Sequence, residues 1–275
     1  MINIIIFSYL IMDKFSKVPI ILPVIDPPPR VTRMKPPHPH LPNIEGHGGG
    51  SLLLLISPVR TGKSTLISNI LLREDFYDAQ ERFDQVNIIS NTIANDVTSR
   101  FLREAFEGNC HDFYSDEVIN GIVESQKKYD KEDQPEIAIV LDDCLGSIKQ
   151  NSMINHLASR YRHFNIKLLV ISSQKFTGAV SPIIRSNATD VIIGSPFPNQ
   201  KELEHVAEEY GDLFGGSKNW LKLYKKCTPN KFDFCYMDLQ ENPPIMYHNF
   251  LKVVARGMTE EGQDEAISEE EEEDL

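Results

Sequence analysis

A five-residue apolar run, Leu52–Ile56, leads directly into the turn Ser57-Pro-Val-Arg-Thr-Gly-Lys-Ser64. Apolar residues at helical spacing follow, so the segment predicts a buried strand, a tight turn and a helix over Ser64–Arg73. This order directs backbone N–H groups and the positive end of the helix at one point, where phosphate oxygens bind. Lys63 is placed to reach the β- and γ-phosphates of a nucleoside triphosphate, and the Ser64 hydroxyl to bind Mg²⁺. The predicted nucleotide-binding residues are Ser57, Pro58, Val59, Arg60, Thr61, Gly62, Lys63, Ser64 and Thr65.

The first position of this turn departs from the usual pattern, G-x-x-x-x-G-K-[ST], because Ser57 stands where a glycine is expected. If the position requires a positive φ, serine meets a steric cost that glycine avoids. We expect the site to tolerate the substitution, since Lys63 and Ser64 carry the ligand contacts. Taken alone, Gly62-Lys63-Ser64 also fits an ordinary turn that opens a helix.

A second apolar run, Ile137–Leu141, ends in two adjacent carboxylates, Asp142 and Asp143. A buried strand of this kind delivers a carboxylate to the Mg²⁺ of a nucleoside triphosphate. We predict that Asp142 binds Mg²⁺, directly or through water, and that Asp143 is the base that orients the attacking water. The alternative for Asp143 is that it caps the turn that follows the strand.

A polar side chain, Gln174, follows the apolar strand Ile166–Ile171. Ligands of α/β sheets bind at the carboxyl ends of the strands, so Gln174 is placed to contact the γ-phosphate or its attacking water. The alternative is an amide in a surface loop.

Three arginines are candidates for the guanidinium that neutralises transition-state charge in ring-shaped motors, where one subunit supplies it to the next. Arg162 is the first candidate and Arg160 the second, and both precede the strand that ends near Gln174. A solvated basic helix end explains them equally well. Arg185 is the third candidate, and its alternative role is structural pairing.

Strands and helices alternate along the chain, and the strands are nearly continuous in apolar residues. This pattern predicts an α/β fold with a mainly parallel sheet covered by helices on both faces. After Gly215-Gly216, we predict two edge strands, Trp220–Lys226 and Phe232–Met237, joined by a hairpin around Thr228-Pro-Asn230. The other predicted strands are Gln85–Ser90 and Asp190–Ile193, and the other predicted helices are Asp96–Glu107, Asp116–Tyr129, Ser152–Arg162 and Glu202–Tyr210.

The two ends of the chain differ in composition from its middle. Residues 1–50 hold a short apolar stretch, Ile2–Ile11, and a Pro/Gly-rich arm with three histidines, for which solvated loop residues are favoured over metal ligands. Ten acidic residues and no Lys or Arg follow Thr259, so most of the net charge of −12 belongs to this tail. We predict an extension over 1–50, a motor domain over 51–255 and a disordered acidic tail over 256–275. The tail could alternatively mimic DNA or bind a basic partner. With 275 residues and 41% hydrophobic content, we expect a soluble globular protein with no membrane partner.

Together these residues resemble a known family. Lys63-Ser64, Asp142-Asp143, Arg162-His163 before a strand that ends in Gln174, and Ile184-Arg185-Ser-Asn187 are similar to motifs of the genome-packaging ATPases of nucleocytoplasmic large DNA viruses. These ATPases belong to the FtsK/HerA division of P-loop NTPases. The resemblance covers roughly residues 50–250, and Asp143 departs from it, because most relatives have Asp-Glu at this point.

The resemblance implies a RecA-like core, ATP with Mg²⁺, a homo-oligomeric ring with six subunits, and double-stranded DNA driven into a capsid. It implies a capsid or portal-like partner and a location in the host cytoplasm, at the viral factory, and in the virion. Two alternatives remain open from the residues themselves. One is a nucleotide-binding regulatory or assembly protein that moves no DNA, and the other is a nucleotide or nucleoside kinase.

Overall fold

A computed structural model describes residues 38–45, 49–93, 99–144, 148 and 151–258. All of them belong to one compact unit, Pro36–Leu275. The predictions for Ile2–Ile11, His47 and the acidic tail after Thr259 lie outside the described residues.

The described elements alternate between strands and helices over most of the chain. The strands are β1 Ser51–Ile56, β2 Gln85–Ser90, β3 Cys110–His111, β4 Ile137–Asp142, β5 Ile166–Ser173, β6 Asp190–Gly194, β7 Phe234–Asp238, β8 Ile245–His248 and β9 Lys252–Arg256. The α-helices are α1 Lys63–Leu72, α2 Ala79–Arg82, α3 Ser99–Ala105, α4 Asp116–Gln126, α5 Met153–Ala158, α6 Pro182–Asn187, α7 Gln200–Tyr210 and α8 Ser217–Cys227. Short 3₁₀ helices span Tyr161–Phe164 and Asp212–Phe214.

The strands form one sheet in the order β3-β2-β4-β5-β1-β6-β7-β8-β9. Neighbouring strands from β3 to β6 run parallel. The strands β7, β8 and β9 extend the sheet in antiparallel order beyond β6. The parallel strands therefore turn their carboxyl ends to the same edge of the sheet, with β1 between β5 and β6.

Both faces of the sheet are buried, as the apolar runs predict. All six residues of β1 are buried. Leu52, Leu54 and Ile56 pack into one apolar cluster with residues of α4, α5, α7 and α8. Leu53 and Leu55 pack into a second cluster with residues of α1 and α3. The predicted class, an α/β fold with a mainly parallel sheet covered by helices on both faces, is confirmed.

One predicted strand was wrong. The segment Trp220–Lys226 lies within the helix α8, and its predicted hairpin around Thr228-Pro-Asn230 is instead the link from α8 to β7. Trp220, Leu223, Tyr224 and Cys227 are the buried residues of α8, and this spacing of three, four and seven places them on one helical face. The true hairpin partner of β7 is β8.

Part of the predicted arm packs against the domain. Leu41 and Ile44 are buried in the second cluster. Glu45 forms ion pairs with Arg82 and with Lys167, whose ammonium lies 3.4 Å from a Glu45 carboxylate oxygen. The boundary at residue 50 stays a prediction, although residues 38–45 contribute contacts to the core. None of the helices in the described part of the chain is long and apolar enough to cross a membrane.

Candidate nucleotide-binding site

The predicted phosphate-binding turn lies at the carboxyl end of β1, directly before α1. The Ser57 N–H donates to the carbonyl of Ser173 at 2.9 Å, which ties the turn to the end of β5. The Thr61 hydroxyl donates to the carbonyl of Pro58 at 2.6 Å and also contacts the Ser57 hydroxyl. Gly62 has φ 88°, a left-handed conformation that favours glycine, and α1 begins at the next residue. The turn Ser57–Gly62 therefore leads into the amino end of α1, whose first three residues are Lys63, Ser64 and Thr65.

Ser57 fits its position without the steric cost that a positive φ would have imposed on serine. It is absent from the described non-glycine residues that have positive φ. Its side chain is 2% exposed and lies against Gly194, the last residue of β6. A Cβ at Gly194 would lie 1.9 Å from the Ser57 Oγ. The missing side chain at Gly194 thus makes room for the serine.

Asp142 lies at the carboxyl end of β4, beside the turn. Its Oδ2 is 3.5 Å from the Ser64 Oγ, and its Oδ1 accepts a hydrogen bond from the Ser172 hydroxyl. Ser64 and Asp142, the two predicted Mg²⁺ ligands, are therefore neighbours, and hard oxygen donors are the ligands that Mg²⁺ prefers. Among the described residues, no group of three or more His, Cys, Asp or Glu could hold a metal ion. The pair suits a cation that completes its coordination with water and substrate phosphates, as Mg²⁺ commonly does.

Asp143 joins the predicted lysine to the predicted glutamine. Its Oδ2 lies 2.8 Å from the Lys63 Nζ and accepts a hydrogen bond from the Gln174 Nε2 at 3.1 Å. Its Oδ1 is buried and has no hydrogen-bond partner among the described residues. The backbone of Asp143 is left-handed, with φ 53°, a conformation that aspartate adopts more readily than most residues. The alternative role, capping of the next turn, involves residues 145–147, which lie outside the described part.

Ser172 is a site residue that the sequence analysis missed. Besides donating to Asp142, its hydroxyl accepts a hydrogen bond from the Asp143 N–H at 3.2 Å. One side chain on β5 therefore contacts both aspartates, Asp142 through its carboxylate and Asp143 through its backbone N–H. The signal was present in the sequence, because residues i and i+2 of a strand share a face and Ser172 stands two residues before Gln174.

Cys144 follows the two carboxylates but takes no chemical part. Its thiol is buried and donates to the carbonyls of Ile89 and Asp142, each at 3.3 Å. Burial, together with the nearby aspartates, raises the pKa of Cys144 to about 12, although backbone hydrogen bonds oppose the shift. The thiol is thus neutral near pH 7 and is not a nucleophile.

Arg160 and Arg162 do not reach the turn of their own chain. They lie at the amino end of β5, whereas the site lies at its carboxyl end, and eight residues of strand span about 26 Å. The Arg162 Nε donates to the Tyr161 hydroxyl at 3.1 Å. The Arg160 Nε lies 3.4 Å from the carbonyl of His156.

The third predicted arginine, Arg185, makes structural contacts. Its guanidinium lies 2.9 Å from a Glu209 carboxylate oxygen and over the ring of Phe176, 4.9 Å from the centroid. The structure thus shows the structural pairing that the sequence analysis gave as the alternative role of Arg185. A role for any of the three arginines in catalysis stays a prediction.

Comparisons with known proteins support the fold. No family model matches the chain. Protein 075L of Invertebrate iridescent virus 6 is 27% identical over 169 residues, which cover 60% of this chain. The match spans 62% of that relative, less than two thirds of its length.

Two solved structures are similar to this chain over most of its length. The genome packaging NTPase B204 of Sulfolobus turreted icosahedral virus 2, in complex with AMP, has a TM-score of 0.50 and 16% identity. The comparison covers 73% of this chain and 98% of that one. The DNA-packaging ATPase B204 of Sulfolobus turreted icosahedral virus has a TM-score of 0.50 and 17% identity, with coverage of 72% and 97%.

The chain therefore has the RecA-like P-loop NTPase fold. The resemblance to viral packaging ATPases that the motifs indicated is confirmed at the level of the fold.

The contact between Ser57 and Gly194 predicts that the two positions are energetically coupled. Gly194→Ala should lower the free energy of unfolding by about 1–3 kcal/mol, because the new methyl group overlaps the Ser57 hydroxyl. In a Ser57→Gly background the same substitution should cost less than half as much. Chemical denaturation of the four proteins measures this coupling.

Gly121→Ala is the matched control, because a Cβ at that helical position meets nothing within 4 Å. It should leave stability unchanged or raise it by about 0.5–1 kcal/mol. An equal cost of Gly194→Ala in both backgrounds would contradict the proposed contact.

Proposed function

We propose that this chain is an ATPase that drives double-stranded DNA into a viral capsid. The proposal that the chain hydrolyses ATP rests on the position of Asp143. Its Oδ2 is shared by Lys63 and Gln174, and its Oδ1 is buried without a hydrogen-bond partner among the described residues. Asp142, the preceding residue, has its Oδ2 3.5 Å from the Ser64 Oγ. These groups supply a phosphate-binding cation, a proton acceptor, an orienting amide and a pair of metal ligands within one site.

Lys63 and Asp143 have complementary roles in the proposed reaction. Phosphate oxygens compete with the Asp143 carboxylate for the Lys63 ammonium, which is only 6% exposed. Binding of the triphosphate therefore frees Asp143 from its ion pair and leaves it to accept a proton from the attacking water. Gln174 orients that water or the terminal phosphate from the neighbouring strand.

Ser64 and Asp142 would hold Mg²⁺, with Ser172 fixing the orientation of the Asp142 carboxylate. When bound by these residues, the ion would supply positive charge that stabilises the phosphate oxygens of the substrate. The proposal of ATP is supported by the solved neighbour that holds AMP. The proposal of DNA and a capsid is supported by the neighbours described as genome-packaging and DNA-packaging proteins, and by the similarity to an iridescent virus protein.

The proposed motor is a homo-oligomeric ring with six subunits, a capsid or portal-like partner and no membrane partner. It would act in the host cytoplasm, at the viral factory, and in the virion. In the proposed ring, Arg162 and Arg160 would serve a neighbouring subunit, because they lie at the amino end of β5, far from their own turn.

ATP turnover with and without duplex DNA tests the proposed function. We expect hydrolysis that duplex DNA stimulates and that Lys63→Ala abolishes, with the variant still folded by circular dichroism. ATP turnover that duplex DNA does not change, or ATP binding without turnover, would instead favour a regulatory or assembly protein. Phosphoryl transfer to an added nucleoside or nucleotide would indicate a kinase.

The roles of the two adjacent aspartates can be separated by substitution. Asp143→Asn should still bind ATP with Mg²⁺ but lose at least about 100-fold in turnover, because it removes the proton acceptor and keeps the side-chain shape. Asp142→Asn removes a proposed Mg²⁺ ligand, so Mg²⁺ should increase the affinity for ATP less in this variant than in the native chain. Normal turnover by Asp143→Asn would place the base elsewhere.

Arg162 is proposed to act in the site of a neighbouring subunit. Arg162→Ala and Lys63→Ala should each be inactive, since such a guanidinium contributes roughly 10³–10⁵ in rate where it operates. Mixing the two proteins should restore part of the activity, because some sites then combine an intact Lys63 with an intact Arg162 from the next subunit. Mixed assemblies without recovered activity would remove Arg162 from this role, and Arg160 and Arg185 are the variants to compare.

A further inference from the structure

A cavity of about 430 Å³ opens beside the phosphate-binding turn. Its wall includes Gly62, Lys63 and Thr65 of the turn and α1, and apolar side chains of Leu66, Ile192 and Phe232. Its volume is in the range of small-molecule sites, which are mostly apolar with a few polar groups. The cavity thus adjoins the predicted phosphate site and offers a surface of a different chemical kind.

The order of the strands fixes the side of the turn on which the cavity lies. Asp142, Asp143 and Gln174 follow β4 and β5, which lie on one side of β1. Ile192 and Gly194 belong to β6 on the other side of β1, and Phe234 begins the next strand. The cavity thus lies on the opposite side of β1 from Asp143 and Gln174. A triphosphate that lay across the turn with its terminal phosphate at Asp143 and Gln174 would have its nucleoside end on the side of the cavity.

Phe232 lines this cavity and combines high exposure with a left-handed backbone conformation. It is 56% exposed, and its backbone is left-handed with φ 72°. A bulky residue in this conformation is rare and strained, and such residues concentrate at ligand sites. Its N–H donates to the carbonyl of Ser195 at 3.2 Å, which holds the backbone in place.

The Phe232 ring also lies close to the turn itself. A Cβ at Gly62 would lie 3.7 Å from the Phe232 Cδ1, so the ring borders the glycine that precedes α1. The Lys231 ammonium lies over the ring, 4.7 Å from its centroid. The residue as a whole is nevertheless 56% exposed, so its side chain is accessible to a ligand in the cavity.

The neighbouring acidic residue, Asp233, is already engaged within the chain. Its carboxylate accepts a hydrogen bond from the Asn230 N–H at 2.9 Å and lies 3.3 Å from the His248 Nε2. Burial acts to raise the pKa of Asp233, but these hydrogen bonds outweigh burial and lower it. Asp233 therefore fixes the loop that carries Phe232 and leaves the ring as the main contact surface for a ligand.

We propose that Phe232 is the stacking platform for the nucleobase of the nucleotide bound at Lys63. The inference rests on the proposed function, because it assigns the base end of the same ligand. Base–aromatic stacking needs only a flat apolar face, so it would accept ADP and ATP alike.

Binding of ADP and of inorganic pyrophosphate, each with Mg²⁺, separates the base from the phosphates. Calorimetric titration of Phe232→Ala should give an ADP dissociation constant raised about 5- to 150-fold, the range for loss of one stacked base. The pyrophosphate constant should change less than about twofold, because Phe232 contributes nothing to the phosphate contacts. Phe232→Tyr keeps a flat ring and should keep ADP affinity within about threefold.

Two controls keep the result interpretable. Phe113→Ala removes another exposed phenylalanine, 64% exposed and outside the residues that line the cavity, and should leave both constants unchanged. Phe232→Gly should melt no lower than the native chain, since glycine adopts a positive φ without strain, yet it should lose ADP affinity as Phe232→Ala does.

An unchanged ADP constant in Phe232→Ala, with tight binding by the native chain, would overturn the stacking role and leave the ATPase proposal intact. Equal losses of ADP and pyrophosphate would also overturn it, since Phe232 would then act by supporting the turn. Failure of the native chain to bind ADP and ATP would overturn both proposals.

Discussion

The parallel alignment of β4, β5, β1 and β6 is the constraint on which the whole site depends. Lys63 and Asp143 are far apart in the chain, yet their charged groups lie 2.8 Å apart because the strands before them end at one edge of the sheet. That alignment follows from burial on both faces, since a one-residue slip would exchange the two sets of apolar side chains between the faces. The core thus sets the distances between the residues of the candidate site.

Two small residues refine this alignment at the strand ends. The Ser172 hydroxyl contacts both adjacent aspartates, one through its carboxylate and the other through its backbone N–H. Gly194 leaves the space that the Ser57 side chain occupies on the opposite side of β1. Each acts from a neighbouring strand, so the candidate site is shaped from both sides of β1 and not by the sequence of the turn alone. The buried ammonium of Lys63 is balanced by Asp143, which avoids an unpaired charge in a site of low exposure.

The sequence predicted those parts of the candidate site that depend on residues close together in the chain. Apolar runs mark the strands and polar residues mark their ends, so the sequence picked out the turn, Asp142-Asp143 and Gln174, which the structure brings together. Their roles stay predictions. The helix α8 was mistaken for one strand of a hairpin, although its buried residues have helical spacing. The accommodation of Ser57 could not be predicted, since it depends on a glycine of another strand. The position of Phe232 beside Gly62 could not be predicted either, because the two residues are far apart in the chain and meet only when the sheet is assembled. The sequence analysis had placed Phe232 in an edge strand.

A crystal structure of the chain with a non-hydrolysable ATP analogue and Mg²⁺ would show how the nucleotide lies in the candidate site. We expect the γ-phosphate between Lys63, Asp143 and Gln174, the metal beside Ser64 and Asp142, and the adenine on the β6 side of β1 against Phe232. A triphosphate bound away from Lys63, or bound in the turn with its γ-phosphate directed toward β6, would contradict this expectation.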